Sequence, residues 1–155
     1  MKEVWSDRER VTWLSFIRTF GTVNQQLCAD MEQVNQLPMP WYDVLVTLYQ
    51  YAAEEGLSMQ QLADNIMMST SGLTRLVDRM IDGGLIQRKR AKDRRIVHVF
   101  LTDAGREKLE AVLPYHQQRV HQYFLQHLSE DEMDAIQHMG DRIQQYFKGD
   151  DKDHG

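Results

Sequence analysis

Eight cationic side chains fall between positions 75 and 95: Arg75, Arg79, Arg88, Lys89, Arg90, Lys92, Arg94 and Arg95, with Asp78, Asp82 and Asp93 among them. The whole chain holds 18 Lys or Arg against 23 Asp or Glu. This stretch is therefore +5 (8 − 3) and the remainder −10 (10 − 20), which sum to the formal −5. Clustered guanidinium and ammonium groups attract phosphate through counterion release, while an acidic remainder disfavours indiscriminate polyanion binding and leaves one face to dock. Catalysis is not indicated, because the sequence has no glycine-rich phosphate loop, nucleophile elbow or H-E-x-x-H motif. Nor do the histidines at 98, 116, 121, 127, 138 and 154 suggest a metal site. Two ligands on one helix face need a spacing of three or four, whereas His116 and His121 are five apart and His121 and His127 six. They read as surface histidines, and no cofactor is expected.

The elements that must hold the cationic groups lie between Leu57 and Thr102. Ser58 and Gln61 have the spacing of a capping box, so a helix begins there and carries Leu62, Ala63 and Ile66 on one stripe. Ser69-Thr70-Ser71 then supplies hydroxyls for a turn and a second N-cap. In the next helix Leu73, Leu76, Val77, Met80 and Ile81 share an apolar face, while Ser71, Thr74, Arg75 and Asp78, with Arg79 on the flank, share the opposite one. Hydroxyl and guanidinium groups suit phosphates and base edges. Gly83-Gly84 ends the helix. The segments 85–90 and 95–101 then read as two strands joined by a basic tip at 91–94. Two short helices followed by such a hairpin are a winged helix-turn-helix, and the fold class is mainly α with a small β-wing.

The motif Asp93-Arg94-Arg95, followed after five residues by Leu101-Thr102-Asp103-Ala104-Gly105, resembles the D-x-R-x5-L-T-x-x-G signature of the multiple-antibiotic-resistance regulator (MarR) family. Ser71 to Met80 and Gly84-Leu85-Ile86 resemble that family's recognition helix and the turn after it, and the likeness spans roughly residues 10 to 147. It implies an obligate homodimer that binds pseudo-palindromic double-stranded DNA, usually a repressor released by a small molecule. The family pattern also implies that Arg95, with Arg94 beside it, enters the minor groove and that Asp93 orients the wing. A guanidinium fork suits the enhanced negative potential of a narrow A·T-rich minor groove. The DNA-binding set expected is Ser69, Thr70, Ser71, Thr74, Arg75, Arg79, Arg88, Lys92, Arg94 and Arg95.

The rest of the chain must hold this unit in place. From Asp7 to about Gln36, Val11, Leu14, Ile17, Phe20, Leu27, Met31 and Val34 recur at helical spacing, with Gly21 a weak point. So long a helix needs a partner surface, which points to dimerisation. Pro38 and Pro40 break the chain before a second helix with Val44, Leu45 and Leu48 on one side. Thr102 N-caps a helix expected to reach about His127 with a kink near Pro114. Ser129 with Glu132 caps a last one lined by Met133, Ile136, Met139, Ile143, Tyr146 and Phe147. The expected organisation is one unit over 1–147, with dimerisation helices at 7–36 and 103–147, the winged region at 41–102 and a disordered tail at 148–155. One cysteine and no apolar segment of signal or membrane-span length suggest a cytoplasmic protein with no membrane partner.

For an effector, the resemblance places a cleft between dimer helices and winged unit, with Trp13, Met39, Trp41 and Tyr42 as candidate walls. The urate-responsive branch of the family further implies Trp13, Asp43, Arg75 and Arg88 around a small aromatic or anionic ligand. Packing and DNA contact are the competing roles for the same residues. Two alternatives stand beside the ligand-released repressor: an architectural DNA binder without an inducer, and a redox-responsive repressor using Cys28. No basic residue near Cys28 in sequence stabilises a thiolate there.

Overall fold

The computed structural model describes residues 4–52, 55–66, 68–90 and 97–150. The fold divides into two compact units, residues 1–117 and 118–155, with the division inside a helix and not at a linker.

The first unit opens with α1 (Asp7–Asn35), started by a capping box in which Ser6 Oγ accepts from the Glu9 amide at 3.3 Å and the Ser6 amide donates to the Glu9 carboxylate at 2.7 Å. It runs unbroken through Gly21 and stops where Gln36 takes a left-handed φ of 49°. There the chain is turned inward so that Leu37 is buried. The last turn of α1 has no basic residue of its own; Lys108 Nζ donates to the Asn35 carbonyl at 2.9 Å and supplies the charge that complements the helix dipole.

Pro38 and Pro40 then start α2 (Met39–Tyr51), where a missing N–H costs nothing. Its Val44, Leu45 and Leu48 are buried as their spacing requires. Next come β1 (Leu57–Ser58), α3 (Met59–Ile66), α4 (Thr70–Asp82), β2 (Ile86–Arg90), β3 (Val97–Leu101) and α5 (Asp103–Tyr123). The sheet is antiparallel in the order β1-β3-β2, with Leu57 opposite Val99 and Arg88 opposite Val99 on the other side. Leu62, Leu73, Val77, Met80, Ile86, Val99 and Leu109 form the centre of the core, so every element of the winged region contributes at least one fully buried side chain or strand partner.

The second unit holds the end of α5, a 3-10 turn at Leu125–His127, and α6 (Glu130–Asp150). Ser129 caps α6: its Oγ accepts from the Glu132 amide at 3.3 Å and its amide donates to the Glu132 carboxylate at 2.8 Å.

Three boundaries differ from the sequence reading. The two-residue β1 carries too little pattern to be read as a strand, and only its partner β3 makes it one. α5 stops at Tyr123, short of His127, because Phe124 leaves the helical region at φ −135°. It passes through Pro114 as continuous helix: the carbonyl that the ring deprives of a partner is that of Glu110, an exposed residue, so that solvent can take the place of the lost bond. Positions 148–150 continue α6 and are not part of a disordered tail, since extending a helix costs far less than starting one. The remaining tail, 151–155, lies outside the described residues.

Candidate nucleic-acid interface

Ser69 N-caps α4, its Oγ accepting from the Gly72 amide at 3.4 Å. Leu73, Leu76, Val77 and Met80 are buried, which leaves Ser71, Thr74, Arg75, Asp78 and Arg79 exposed on the other side. Among the described residues neither Arg75 nor Arg79 is held in an ion pair, so both guanidinium groups can reach an external anion.

The end of α4 is closed by a Schellman turn: the Gly84 amide donates to Ile81 O at 2.9 Å and the Leu85 amide to Met80 O at 3.0 Å, with Gly84 at φ 73°. The conformation is one that only glycine takes without strain. α5 then closes on this turn. Thr102 Oγ1 donates to Gly84 O at 2.7 Å and accepts from the Gly105 amide at 3.0 Å, while the Thr102 amide donates to Leu85 O at 3.1 Å. A Cβ at Gly105 would sit 1.9 Å from Leu85 O, so no other residue permits the approach. The Leu101-Thr102-x-x-Gly105 motif is thus the joint between the helix carrying Arg75 and the helix that follows the sheet.

Strand alternation sorts the cationic hairpin. Ile86, Arg88 and Arg90 share a face with Val97, Val99 and Leu101, whereas Gln87 and Lys89 share the other with His98 and Phe100. Ile86 and Val99 are buried, so Arg88 emerges on the side of the helices, and its Nη1 meets Asp78 Oδ1 at 2.6 Å. Both partners are partly exposed; such a pair contributes about 1 kcal/mol or less, yet it commits the guanidinium to α4. On the other face Lys89 Nζ lies 5.5 Å from the centre of the Phe100 ring, and His98 Nδ1 donates to Glu55 O at 2.6 Å. Of the expected wing residues, Lys92, Asp93, Arg94 and Arg95 lie outside the described residues, as does the side chain of Thr70.

Of the residues the family resemblance groups around a ligand, Met39, Trp41, Tyr42 and Asp43 share α2, whereas Trp13 stands apart from Asp43 within one protomer. Asp43 of α2 lies close enough to Cys28 of α1 to act on it electrostatically. Trp13 is 15 residues from Cys28 along α1, or about 22 Å along the axis, beyond the reach of two side chains. Trp13 is half exposed and stacks at 6.2 Å on Phe16 of its own helix. Trp41 packs where α4 ends, 3.6 Å from the position of a Cβ on Gly83; Met39 is partly buried against the core. Burial pushes the Asp43 carboxyl up to about 6, and burial together with Asp43 pushes Tyr42 up to about 12. The Cys28 thiol is raised by burial first, then by the Asp43 and Glu32 carboxylates. Nothing among these causes favours a thiolate at Cys28.

The comparisons with known proteins agree with this architecture. The sequence profile of the MarR family matches residues 37–97. The transcriptional repressor MdtR of Bacillus subtilis is 29% identical over 140 residues, which cover 90% of this chain and 87% of MdtR. The crystal structure of AbsC, a MarR family transcriptional regulator from Streptomyces coelicolor, matches with a TM-score of 0.85 at 26% identity, covering 96% of this chain and 99% of AbsC. That of Sco3205, a MarR family regulator from the same organism in complex with DNA, shares the fold with a TM-score of 0.85 at 23% identity, covering 92% and 93% of the two chains. The chain resembles MarR family transcriptional regulators, by profile over the winged region and by fold over nearly its whole length. It is a transcriptional regulator and not an enzyme.

In this chain one histidine departs from the surface role read for all six. His116 is half buried, and Tyr42 Oη and His116 Nδ1 are 3.0 Å apart with ring centres at 4.3 Å. Burial lowers the pKa of His116 and so disfavours the charged imidazolium. The signal was present in its spacing, four residues from Val112 and three from Leu113 on the apolar side of α5. Thr102 was read only as a cap; its second bond, to Gly84 O, depends on a contact 18 residues away that no local pattern encodes.

Proposed function

We propose that this MarR-like regulator is a homodimeric repressor that binds a pseudo-palindromic DNA duplex, with α4 in the major groove and the wing tip, Arg94 and Arg95, in the minor groove. The observation that carries the reading is the two-sided α4, with a core-packed apolar stripe behind an open face of Ser71, Thr74, Arg75 and Arg79. Sco3205, of the same fold, was solved in complex with DNA, which supports the choice of duplex. Dimerisation is supported by the large side chains left open on α1 (Trp13, Phe16, Ile17, Phe20) and on α6 (Ile136, Ile143, Tyr146, Phe147).

Salt-titrated mobility shifts test the reading. Binding should weaken steeply with salt, and Arg75→Ala and Arg95→Ala should each weaken it while the dimer stays folded. Unchanged affinity for both variants rejects these assignments, and equal affinity for operator and scrambled duplex favours an architectural protein. Release by a small aromatic or anionic ligand is the second part of the proposal. Because Trp13 and Asp43 are far apart in one chain, a cleft using both would need Trp13 from one protomer and Asp43 from its partner. Titration calorimetry with aromatic acids, urate included, checks it; no heat and no release from DNA would remove an inducer of this class.

A further inference from the structure

The Gly83-Gly84 turn is a weak place to hang a DNA-reading helix. Glycines lose more conformational freedom on folding than other residues, and those of this turn are exposed. What holds it lies across the chain: Thr102 bonds at once to the Gly84 carbonyl and to the Gly105 amide, its own amide bonds Leu85 O, and Gly105 lets α5 approach Leu85 O closely. A helix N-cap needs only the second of these bonds. The bond to Gly84 O is surplus to capping and ties the last turn of α4 to the first turn of α5.

We propose that Thr102 is a positioning residue for DNA recognition: its hydroxyl clasps the end of α4 to the start of α5, so that α5 and not the glycine turn dictates where α4 is held. The proposal rests on the DNA-binding reading above. In a dimer with two copies of α4, a fixed α4–α5 joint limits how each groove-reading face can turn relative to the α5 that carries it. Thr102 therefore acts on which half-site spacing is accepted, without touching DNA.

Two substitutions separate clasp from cap. Thr102→Val keeps the shape and loses both hydroxyl bonds. Thr102→Asp keeps an acceptor for the Gly105 amide, as a good N-cap does, but has no proton to donate to Gly84 O. Thr102→Ser retains both bonds. The readout is the ratio of affinities for the selected operator and for duplexes with one base pair added or removed between half-sites. These duplexes compare near-equal charge, so the added carboxylate of Thr102→Asp largely cancels. Thr102→Val and Thr102→Asp should each lower the ratio about three- to tenfold, the loss of one intramolecular hydrogen bond, and Thr102→Ser should keep it. A ratio preserved in Thr102→Asp overturns the clasp and leaves a cap alone, whatever Thr102→Val does; should Thr102→Val fail to fold, Thr102→Asp decides. Amide hydrogen exchange without DNA separates this from the parent reading: faster exchange at Gly84 and Leu85 in Thr102→Asp supports the joint even if the wild type proves indifferent to operator sequence, and unchanged exchange sinks it.

Discussion

The two halves of α1 carry the same kind of apolar periodicity and meet opposite fates. Toward its C-terminus Leu27 and Met31 are buried, and Met31, at 1% exposure, joins the core built by α2 and the winged region. Toward its N-terminus Trp13, Phe16 and Phe20 are 50%, 54% and 65% exposed, although they follow the same three- and four-residue spacing. A stripe states that a surface must be covered; it does not state by what. The covered half is a matter of this chain's own stability, and the open half is where the proposed dimer would gain its free energy.

Several substitutions would break or sharpen that contrast. The largest effect is expected at Met31: Met31→Ala should cost about 2–5 kcal/mol of stability in urea unfolding, because it leaves a cavity that the packed helices fill poorly. A cost as small as that of Phe16→Ala would erase the distinction. Phe16→Ala and Phe20→Ala should leave the unfolding of a dilute protomer nearly unchanged while weakening association at least about tenfold in sedimentation equilibrium. If association is untouched, the open half serves something other than dimerisation.

A pH effect marks the covered half. The folded-state pKa of Asp43 is raised from 3.8 to about 6, so the native state holds this proton more tightly than the unfolded chain. Its contribution to stability is thus fully present below about pH 4 and lost as the pH rises through about 6. Asp43→Asn should remove that decline and stabilise the protein at pH 7 by about 1–2 kcal/mol, after discounting for the solvent-facing part of the group. An identical slope in wild type and variant between pH 4 and 6 would show that the carboxylate is better solvated than its position implies. The smallest effect is expected at Gly21, where a Cβ would meet nothing within 4 Å. Gly21→Ala should stabilise by about 0.5–1 kcal/mol through helix propensity. A loss of association instead would extend the proposed interface to this position.

Much of the framework was legible because it is local. The Ser58–Gln61 and Ser129–Glu132 capping boxes depend on residues three apart, and each forms as spaced. The α4 stripe depends on a 3.6-residue repeat within one helix, and the hairpin on adjacent strands. What escaped depended on contacts between distant segments. β1 exists because Leu57 meets Val99; His116 is half buried because Tyr42 lies opposite; Arg88, read as a ligand or DNA contact, also pairs with Asp78 because strand alternation turns it toward α4.

Order along the chain was enough to set the helices, the turn glycines, the cationic hairpin and the family resemblance, since each follows from periodicity, capping chemistry or a motif of neighbouring residues. Folding in three dimensions alone decided which guanidinium groups stay available, which half of α1 is covered, and that Thr102 joins two helices. Those outcomes turn on distances between residues far apart in sequence, and on burial, which no residue possesses until the others surround it.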